Sequence, residues 1–474
     1  MSRSVKLVII GAGTAGLTAL SEARRHTDDV VLINDGPYGT TCARVGCMPS
    51  KALLEVAHTY ASRKFLSGAG VAGTDQMQVD IPAVMEHVRS LRDRFTAGPI
   101  KLAESLGKGS IQGRPRFLEP TILEVNGERI RTEKTIIATG TRPIVPAKWQ
   151  AFGNRVLTSD SIFEKKTLGG RGAVVGLGPI GAELGQAFAQ LGVTIYGFDK
   201  TERVAAITDP AVNQAMLQAL RKDMDIVIGE VDLEKTTNGA IRVLADGEAI
   251  DVDWVLAAIG RRPNLEGLDL DAIGVALDER GVPEYDPCSL QIGNLPIYIA
   301  GDVSGMRPLM HEAVDEGRIA AYHALTGHKE LIGRRTPLEI VFTEPNVASA
   351  GLRYAELDLQ RHIVATADFG QQPRALMTAR NEGILQLYVD SEEGCIVGSE
   401  MATPDAEHLG HLLAWAIQQR STVDKLLQMP FYHPTVEEGL RPALQAARRQ
   451  LGERRRQPDI PLCHEAADWA LGGD

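Results

Sequence analysis

The chain has 474 residues, of which 44% are hydrophobic and 23% charged, and its formal net charge is −11. The length corresponds to about three domains, the composition is that of a globular chain, and the negative charge argues against bulk nucleic-acid binding. No apolar run approaches the ~18 residues of a membrane span, and the run Val5 to Ile10 begins too early to leave room for a cleavable leader, so the expectation is a cytoplasmic protein with neither nucleic acid nor membrane as partner.

Along the chain, the first element is a strand ending in Val8-Ile9-Ile10. A turn follows with Gly11, Gly13 and Gly16, then an alanine-rich helical run to about His26 and a strand Val30 to Ile33. A second copy of this unit reads Ala173-Val174-Val175, then Gly176, Gly178 and Gly181, a helix to about Leu191, and a strand Val193 to Phe198 ending at Asp199. In such a βαβ unit the first glycine makes the tight turn, the second admits a pyrophosphate close to the backbone, and the third lets helix and strand pack. The helix N-terminus then offers free N–H groups and a partial positive charge to the phosphates. A lone G-x-G-x-x-G is a weak signal, but two in full context imply two dinucleotides.

The residue at the strand end binds the adenosine ribose. Asp199 accepts hydroxyl protons and repels a 2′-phosphate, which favours NAD over NADP, although Lys200 and Arg203 stand close by. In the first unit the position is Asn34, with Asp35 beside it, and an amide can also bond a ribose hydroxyl.

Between the two copies lies Gly39-Thr40-Thr41-Cys42-Ala43-Arg44-Val45-Gly46-Cys47-Met48-Pro49-Ser50-Lys51. The chain has five cysteines, an odd number too sparse for a disulfide scaffold, and only Cys42 and Cys47 are close together. With no second ligand cluster nearby they point away from a metal, and none is expected. A helix is predicted from Pro49 to about Ser62, which puts Cys47 near a positive helix end where a thiolate is stabilised. Lys51 adds a cation, and a thiolate is the species that disulfide exchange requires. The plain alternative is two small buried hydrophobes.

Three further buried strands run into small-residue turns: Thr135 to Gly140, Trp254 to Gly260 and Ile297 to Asp302. They suggest open α/β sheets with ligands at the strand ends. After about Pro337 the pattern becomes α+β. There the strand Ile384 to Val389 reads as alternating, and a helix is predicted from Pro404 to Gln419 with Thr403 as its N-cap. The segment after about Leu451, with Arg454-Arg455-Arg456 and Pro458, reads as a solvated helix end and a loose terminus.

These motifs, together with Ala138-Thr139-Gly140, Gly260-Arg261-Arg262-Pro263-Asn264, Gly301-Asp302 and His433-Pro434-Thr435, give a chain that resembles the class I pyridine nucleotide–disulfide oxidoreductases from Val5 to about Leu444. Dihydrolipoamide dehydrogenase is the nearest member, beside glutathione and mercuric reductases. The resemblance implies an FAD domain (1–148), an NAD domain (149–268), a segment completing the FAD domain (269–335), a C-terminal α+β dimerisation domain (336–452) and a tail (453–474). It implies that Cys47 is the flavin-side cysteine and Cys42 the interchange cysteine, and that Lys51 lies by the flavin and pairs with Glu183. FAD would be held by Gly11, Gly13, Gly16, Asn34, Asp35, Thr41, Lys51, Gly113, Thr139, Gly140 and Asp302, with the helix opening at Met310-His311 facing the flavin. NAD would be held by Gly176, Gly178, Ile180, Gly181, Asp199 and Gly260.

A histidine has the right range to take a thiol proton. The resemblance makes His433 that base, oriented by Glu438 and acting on the other subunit's cysteines, which implies a homodimer with shared active sites. The reaction implied is dihydrolipoamide plus NAD⁺ to lipoamide plus NADH, with a lipoyl-bearing protein as partner. The alternatives are an NAD(P)H-dependent reductase of another small disulfide or of a metal ion, and a flavoprotein kept only for binding. The chain departs from the pattern at Phe431, where dihydrolipoamide dehydrogenases commonly carry a histidine. Mercuric reductases lack the His433 equivalent and carry a C-terminal cysteine pair that the single Cys463 does not supply, and large thioredoxin reductases likewise need a C-terminal redox pair. Glutathione reductases usually have basic residues where Asp199 stands.

Overall fold

The computed structural model describes residues 3–237, 239–328, 332–452 and 459–460. It divides into two compact units, one made of residues 1–53, 80–168 and 254–334, the other of 54–79, 169–253 and the chain from 335 onward.

The first unit is built on the strand Arg3–Ile10. It pairs in parallel with Val30–Asn34 on one side and with Glu128–Ile137 on the other, and Ile297–Ile299 adds a further parallel strand beyond the latter. Antiparallel strands Ile122–Val125 and Arg116–Glu119 extend the sheet from the N-terminal half of Glu128–Ile137. Alternate residues of the first strand enter two different cores. Leu7 and Ile9 pack with Leu32, Ile136 and residues of the helices Thr14–Ala23 and Met310–Thr326, while Val8 and Ile10 pack with Val31, Ile33, Phe117 and Ile299. A strand covered on both faces reads as a continuous apolar run, and that is how Lys6's successors read here.

The helices Thr14–Ala23 and Met310–Thr326 meet almost backbone to backbone, because small residues line the contact. A Cβ on Gly317 would lie 2.3 Å from the Ala15 carbonyl oxygen, and one on Gly301 would lie 2.7 Å from the Ala15 Cβ. Gly317→Ala is therefore expected to lower the unfolding free energy by about 1–3 kcal/mol, read from the urea midpoint of the flavin-loaded protein. An unchanged midpoint and slope would contradict this packing.

In the second unit, Arg171–Val175, Thr194–Asp199 and Asp225–Ile228 form parallel pairs, with the helix Pro179–Gln190 following the first of them. Strands Asp232–Lys235, Ile241–Ala245 and Glu248–Val252 make an antiparallel meander. The C-terminal part is a five-stranded antiparallel sheet in the order Leu338–Val341, Asn346–Gly351, Ile396–Thr403, Ile384–Asp390, His362–Asp368. Leu385, Leu387, Val389 and Met401 pack there against Leu409 and Leu413 of the helix Ala406–Gln418 and Ala443 and Leu444 of the helix Leu440–Gln450.

Two local expectations are corrected. The helix after Thr403 begins at Ala406, with Asp405 as its N-cap at φ +51°. Thr403 instead ends a strand, paired with Asn346, because the sheet ladder outweighs the local Thr-Pro helix-start signal. The strand Ile384–Asp390 is also not half-exposed: Gln386, Tyr388 and Asp390 on its second face are all buried. Tyr388 donates its hydroxyl to Asp209 Oδ2 at 3.0 Å and lies 3.3 Å from Glu400 Oε2. Glu400 in turn accepts the Thr208 N–H at 2.7 Å, the Thr208 hydroxyl at 2.6 Å and the Tyr354 N–H at 2.9 Å. Burial without cationic neighbours raises the Asp209 carboxyl above the usual range, against the pull of the Val212 and Ala211 N–H groups that it caps.

Candidate active site

The first glycine turn is shaped so that only glycine fits two of its positions. Gly11 has φ +106°, and a Cβ there would come within 2.3 Å of the Ala138 carbonyl oxygen; a Cβ on Gly16 would come within 1.9 Å of the Gly11 carbonyl oxygen. Gly13 differs: a Cβ would touch nothing closer than 3.9 Å, so its bare backbone borders open space. Gly13 is the N-cap of the helix Thr14–Ala23 and gives it no side-chain cap, and the Met310–Thr326 helix likewise starts at Leu309 without one. Exposed Met310 and His311 occupy the first turn of that second helix. The open glycine cradle and the uncapped N–H groups fit a pyrophosphate.

Asn34 bolts the turn to the next strand. Its Oδ1 accepts the Ala12 N–H at 2.9 Å and its Nδ2 donates to the Gly36 carbonyl at 2.7 Å. Asp35, exposed, lies 3.9 Å from Arg114. Gly113 donates its N–H to the Asn34 carbonyl at 3.0 Å, and a side chain there would strike Asn126 at 2.5 Å, so its glycine serves packing at this edge.

The cysteine segment is a short helix followed by a long one, with a strained residue, Thr40, before the first and a closely packed glycine, Gly46, between them. Thr40, at φ +60°, caps the helix Thr41–Val45 by accepting the Ala43 N–H at 3.1 Å, and a Cβ on Gly46 would lie 3.1 Å from the Thr41 carbonyl oxygen. The next helix, Cys47–Ala61, starts at Cys47, two residues before the expected Pro49, so Cys47 is itself the first helical residue. Cys42 is half-buried and Cys47 exposed. The two thiols share a hydrogen bond; this and burial push the Cys42 thiol well above its ordinary value, while the Lys51 ammonium one turn on pulls it down. Thr41 opens the first of the two helices with its side chain exposed.

Asn264 clamps the Thr139-Gly140 turn, donating its side-chain amide to the Thr139 carbonyl at 3.0 Å and its N–H to the Gly140 carbonyl at 3.0 Å. The Thr139 hydroxyl is buried with no hydrogen-bond partner among the described residues, a polar atom that a bound ligand could satisfy. Gly260, at φ +118°, accepts the Ile144 N–H at 3.0 Å. Asp302, in the turn after Ile297–Ile299, takes the Thr141 hydroxyl at 3.5 Å; burial raises its carboxyl, and the Arg261 guanidinium opposes that. The neighbouring Gly301 N–H donates at 2.6 Å to Glu316, which also pairs with Arg334 at 2.8 Å.

In the second unit the glycine turn repeats the same design. A Cβ on Gly181 would lie 1.8 Å from the Gly176 carbonyl oxygen, whereas one on Gly178 meets nothing within 4 Å. Gly178 precedes the helix Pro179–Gln190 without a side-chain cap, and Ile180 is partly exposed in its first turn. Asp199 Oδ2 accepts the Leu177 N–H at 2.7 Å and Oδ1 the Thr201 N–H at 3.2 Å, which leaves one lone pair on each oxygen for ribose hydroxyls. Lys200 is drawn to Glu230 at 3.0 Å.

Glu183, buried on the Pro179–Gln190 helix, accepts the Phe342 N–H at 2.8 Å. His58, which sequence reasoning missed, lies in the same unit. Burial, then the Arg380 guanidinium, pushes it below the ordinary histidine range, against the upward pull of Glu55, Glu183 and Asp223. His433 places its Nδ1 2.9 Å from Glu438 Oε2 and 3.1 Å from Oε1, with its imidazole 68% exposed and Glu438 only 19%. Cys463 lies outside the described residues. Among the described residues no helix is long and apolar enough to cross a membrane, and no cluster of three or more His, Cys, Asp or Glu could hold a metal.

The family model "Pyridine nucleotide-disulphide oxidoreductase" matches residues 5–317, and the model of that family's dimerisation domain matches 338–444, which supports a homodimer. The dihydrolipoyl dehydrogenase of Geobacillus stearothermophilus is 31% identical, covering 94% of this chain and 96% of the relative. The mercuric reductase of Staphylococcus aureus is 30% identical, covering 92% and 81%. Among solved structures, the HOCl-induced flavoprotein disulfide reductase RclA from Escherichia coli, as its Cu(II) complex, superposes with a TM-score of 0.82 at 23% identity, covering 94% of this chain and 99% of that one. LpdA from Mycobacterium tuberculosis gives a TM-score of 0.80 at 25% identity, covering 94% and 100%. With glycine cradles for two dinucleotides and a hydrogen-bonded cysteine pair between them in sequence, the chain belongs to the pyridine nucleotide–disulphide oxidoreductase family and is an FAD-dependent disulfide oxidoreductase.

Proposed function

We propose that this flavoprotein oxidises dihydrolipoamide with NAD⁺, giving lipoamide, NADH and a proton. The observation that carries the reading is the His433–Glu438 pair. A carboxylate can only accept, so Nδ1 donates to Glu438 and the Nε2 lone pair is left outward as a base. The exposure of the imidazole suits a base presented to the cysteines of a second subunit.

In the proposed cycle the resting pair is a Cys42–Cys47 disulfide. One substrate thiol, its proton passing to His433, attacks the Cys42 sulfur; the Cys42–Cys47 bond breaks and the electron pair stays on the Cys47 sulfur. The second substrate sulfur then attacks the substrate sulfur of the mixed disulfide; the bond to Cys42 breaks, the cyclic product closes, and the second thiol proton passes by way of His433 to the departing Cys42 sulfur. Cys47 at the helix start and Lys51 one turn on stabilise the resulting thiolate. Bound FAD supplies the two-electron path from the dithiol to the nicotinamide, held by the first glycine turn, Thr139, Gly140 and Asp302. Asp199 would hold the NAD ribose and disfavour a 2′-phosphate.

Steady-state rates test this. Turnover with NAD⁺ and dihydrolipoamide should exceed NADPH-driven reduction of glutathione disulfide, or of Hg(II), by at least about a hundredfold, the scale expected when a buried site must reject the wrong group. The opposite ranking would favour the reductase reading, which the 30% identity to a mercuric reductase keeps in contention.

A further inference from the structure

We propose that Arg261 and Thr141 form a positioning relay that holds the Asp302 carboxylate as a pure hydrogen-bond acceptor toward the ribityl chain of FAD; this rests on the reading of Asp302 as a flavin contact. The geometry is a count of donors. Arg261 Nε donates to the Thr141 hydroxyl oxygen at 2.8 Å, and another guanidinium nitrogen donates to the Thr141 carbonyl at 2.9 Å. A hydroxyl has one hydrogen. With an arginine N–H already aimed at its oxygen, Thr141 has that hydrogen left to give, and it points at Asp302 Oδ2, 3.5 Å away.

At that length the hydroxyl alone holds weakly, so the guanidinium charge behind it carries much of the effect. Against burial, which raises the Asp302 carboxyl, the Arg261 guanidinium pulls it down most, followed by the Thr141 hydroxyl and its own backbone N–H. Arg261 is itself fixed from the other side by the Ser159 hydroxyl at 3.1 Å and by Asp160 at 3.6 Å. Strands Thr141–Pro143 and Arg261–Pro263 pair antiparallel, Arg261 opposite Pro143, so the arginine is delivered by main-chain register rather than by a flexible stem. The Gly301 N–H next to Asp302 is pinned by Glu316 at 2.6 Å, which fixes the turn from which the carboxylate projects. The consequence is a half-buried acceptor whose ionised form Arg261 and Thr141 favour against burial, with its other oxygen left for a flavin hydroxyl.

The test is FAD titration of the flavin-stripped protein, followed by flavin fluorescence, at a lower and a higher pH, since burial displaces the Asp302 carboxyl upward and its ionised form gains as the pH rises. Wild type and Thr141→Ser should bind alike at both. Thr141→Val and Arg261→Met should bind FAD about tenfold more weakly at the lower pH, the loss typical of a charge-assisted hydrogen bond, and recover toward wild type at the higher. Asp302→Asn should be weak at both, and adding Arg261→Met to it should change nothing further. If Asp302→Asn is weak while Thr141→Val and Arg261→Met match wild type at both pH values, the relay is wrong and the Asp302 assignment stands. If Asp302→Asn binds like wild type, the flavin contact itself is wrong and the relay falls with it. Arg261→Lys, which keeps the charge but loses the fork, gives a folded intermediate case should Arg261→Met not fold.

Discussion

Replacing Cys42 with serine should cut NAD⁺-linked oxidation of dihydrolipoamide by about a thousandfold or more, the scale of losing a nucleophile that acts as part of a unit. The physical ground is local. Cys42 and Cys47 share a hydrogen bond, and a side chain on Gly46 between them would come within 3.1 Å of the Thr41 carbonyl oxygen, so the segment is folded tightly around those two sulfurs. Removing one sulfur leaves the fold and the flavin cradle intact, since the glycines that shape the cradle are elsewhere. The Cys42→Ser protein should therefore remain yellow, and its remaining Cys47 thiolate should give a long-wavelength band with the flavin. Anaerobic spectra and stopped-flow rates check both points. A Cys42→Ser enzyme that turned over dithiol near the wild-type rate would remove the cysteine pair from the chemistry.

The second large effect is expected at the base. His433→Gln should lower the same turnover by about 10²- to 10⁴-fold, the usual contribution of general acid–base catalysis. Glu438→Gln should cost less, because the imidazole remains and only its orientation and the stabilisation of its protonated form are lost. The order of the two losses matters as much as their size. Glu438 contacts Nδ1 through both carboxylate oxygens, so it can act only through His433. A Glu438→Gln loss larger than that of His433→Gln would show that the carboxylate serves something else.

Much of this site was legible in the sequence because its constraints are steric and local. A turn that leaves 1.9 Å between a Cβ at position 16 and a carbonyl oxygen tolerates only glycine, and such a requirement is written directly in the residue type. The cysteine pair and the His-Pro-Thr segment were readable for a similar reason: the chemistry needs particular atoms. What was not legible depends on contacts far apart in the chain. Arg261 stood inside a recognised motif, yet its partner Thr141 is 120 residues away and nothing local names it. Tyr388, Asp209 and Glu400 form a buried polar knot, whereas a pattern of alternating residues gave the Tyr388 face of its strand to solvent. The Thr-Pro pair at 403–404 carried a sound helix-start signal that the neighbouring strand overrode. Local propensity fails where tertiary pairing competes for the same residues.

Asn34 and Asp199 sit at matching places and perform one mechanical task, each holding a backbone N–H of the glycine turn before it, Ala12 in one case and Leu177 in the other. One of these fasteners is neutral and the other charged. Mechanical grip and ligand preference are thus separable at a single position: either side chain can hold the loop, and the choice between amide and carboxylate is left free to be set by the nucleotide each cradle admits. A chain that built the same joint twice can in this way change which cofactor one half accepts without loosening the other.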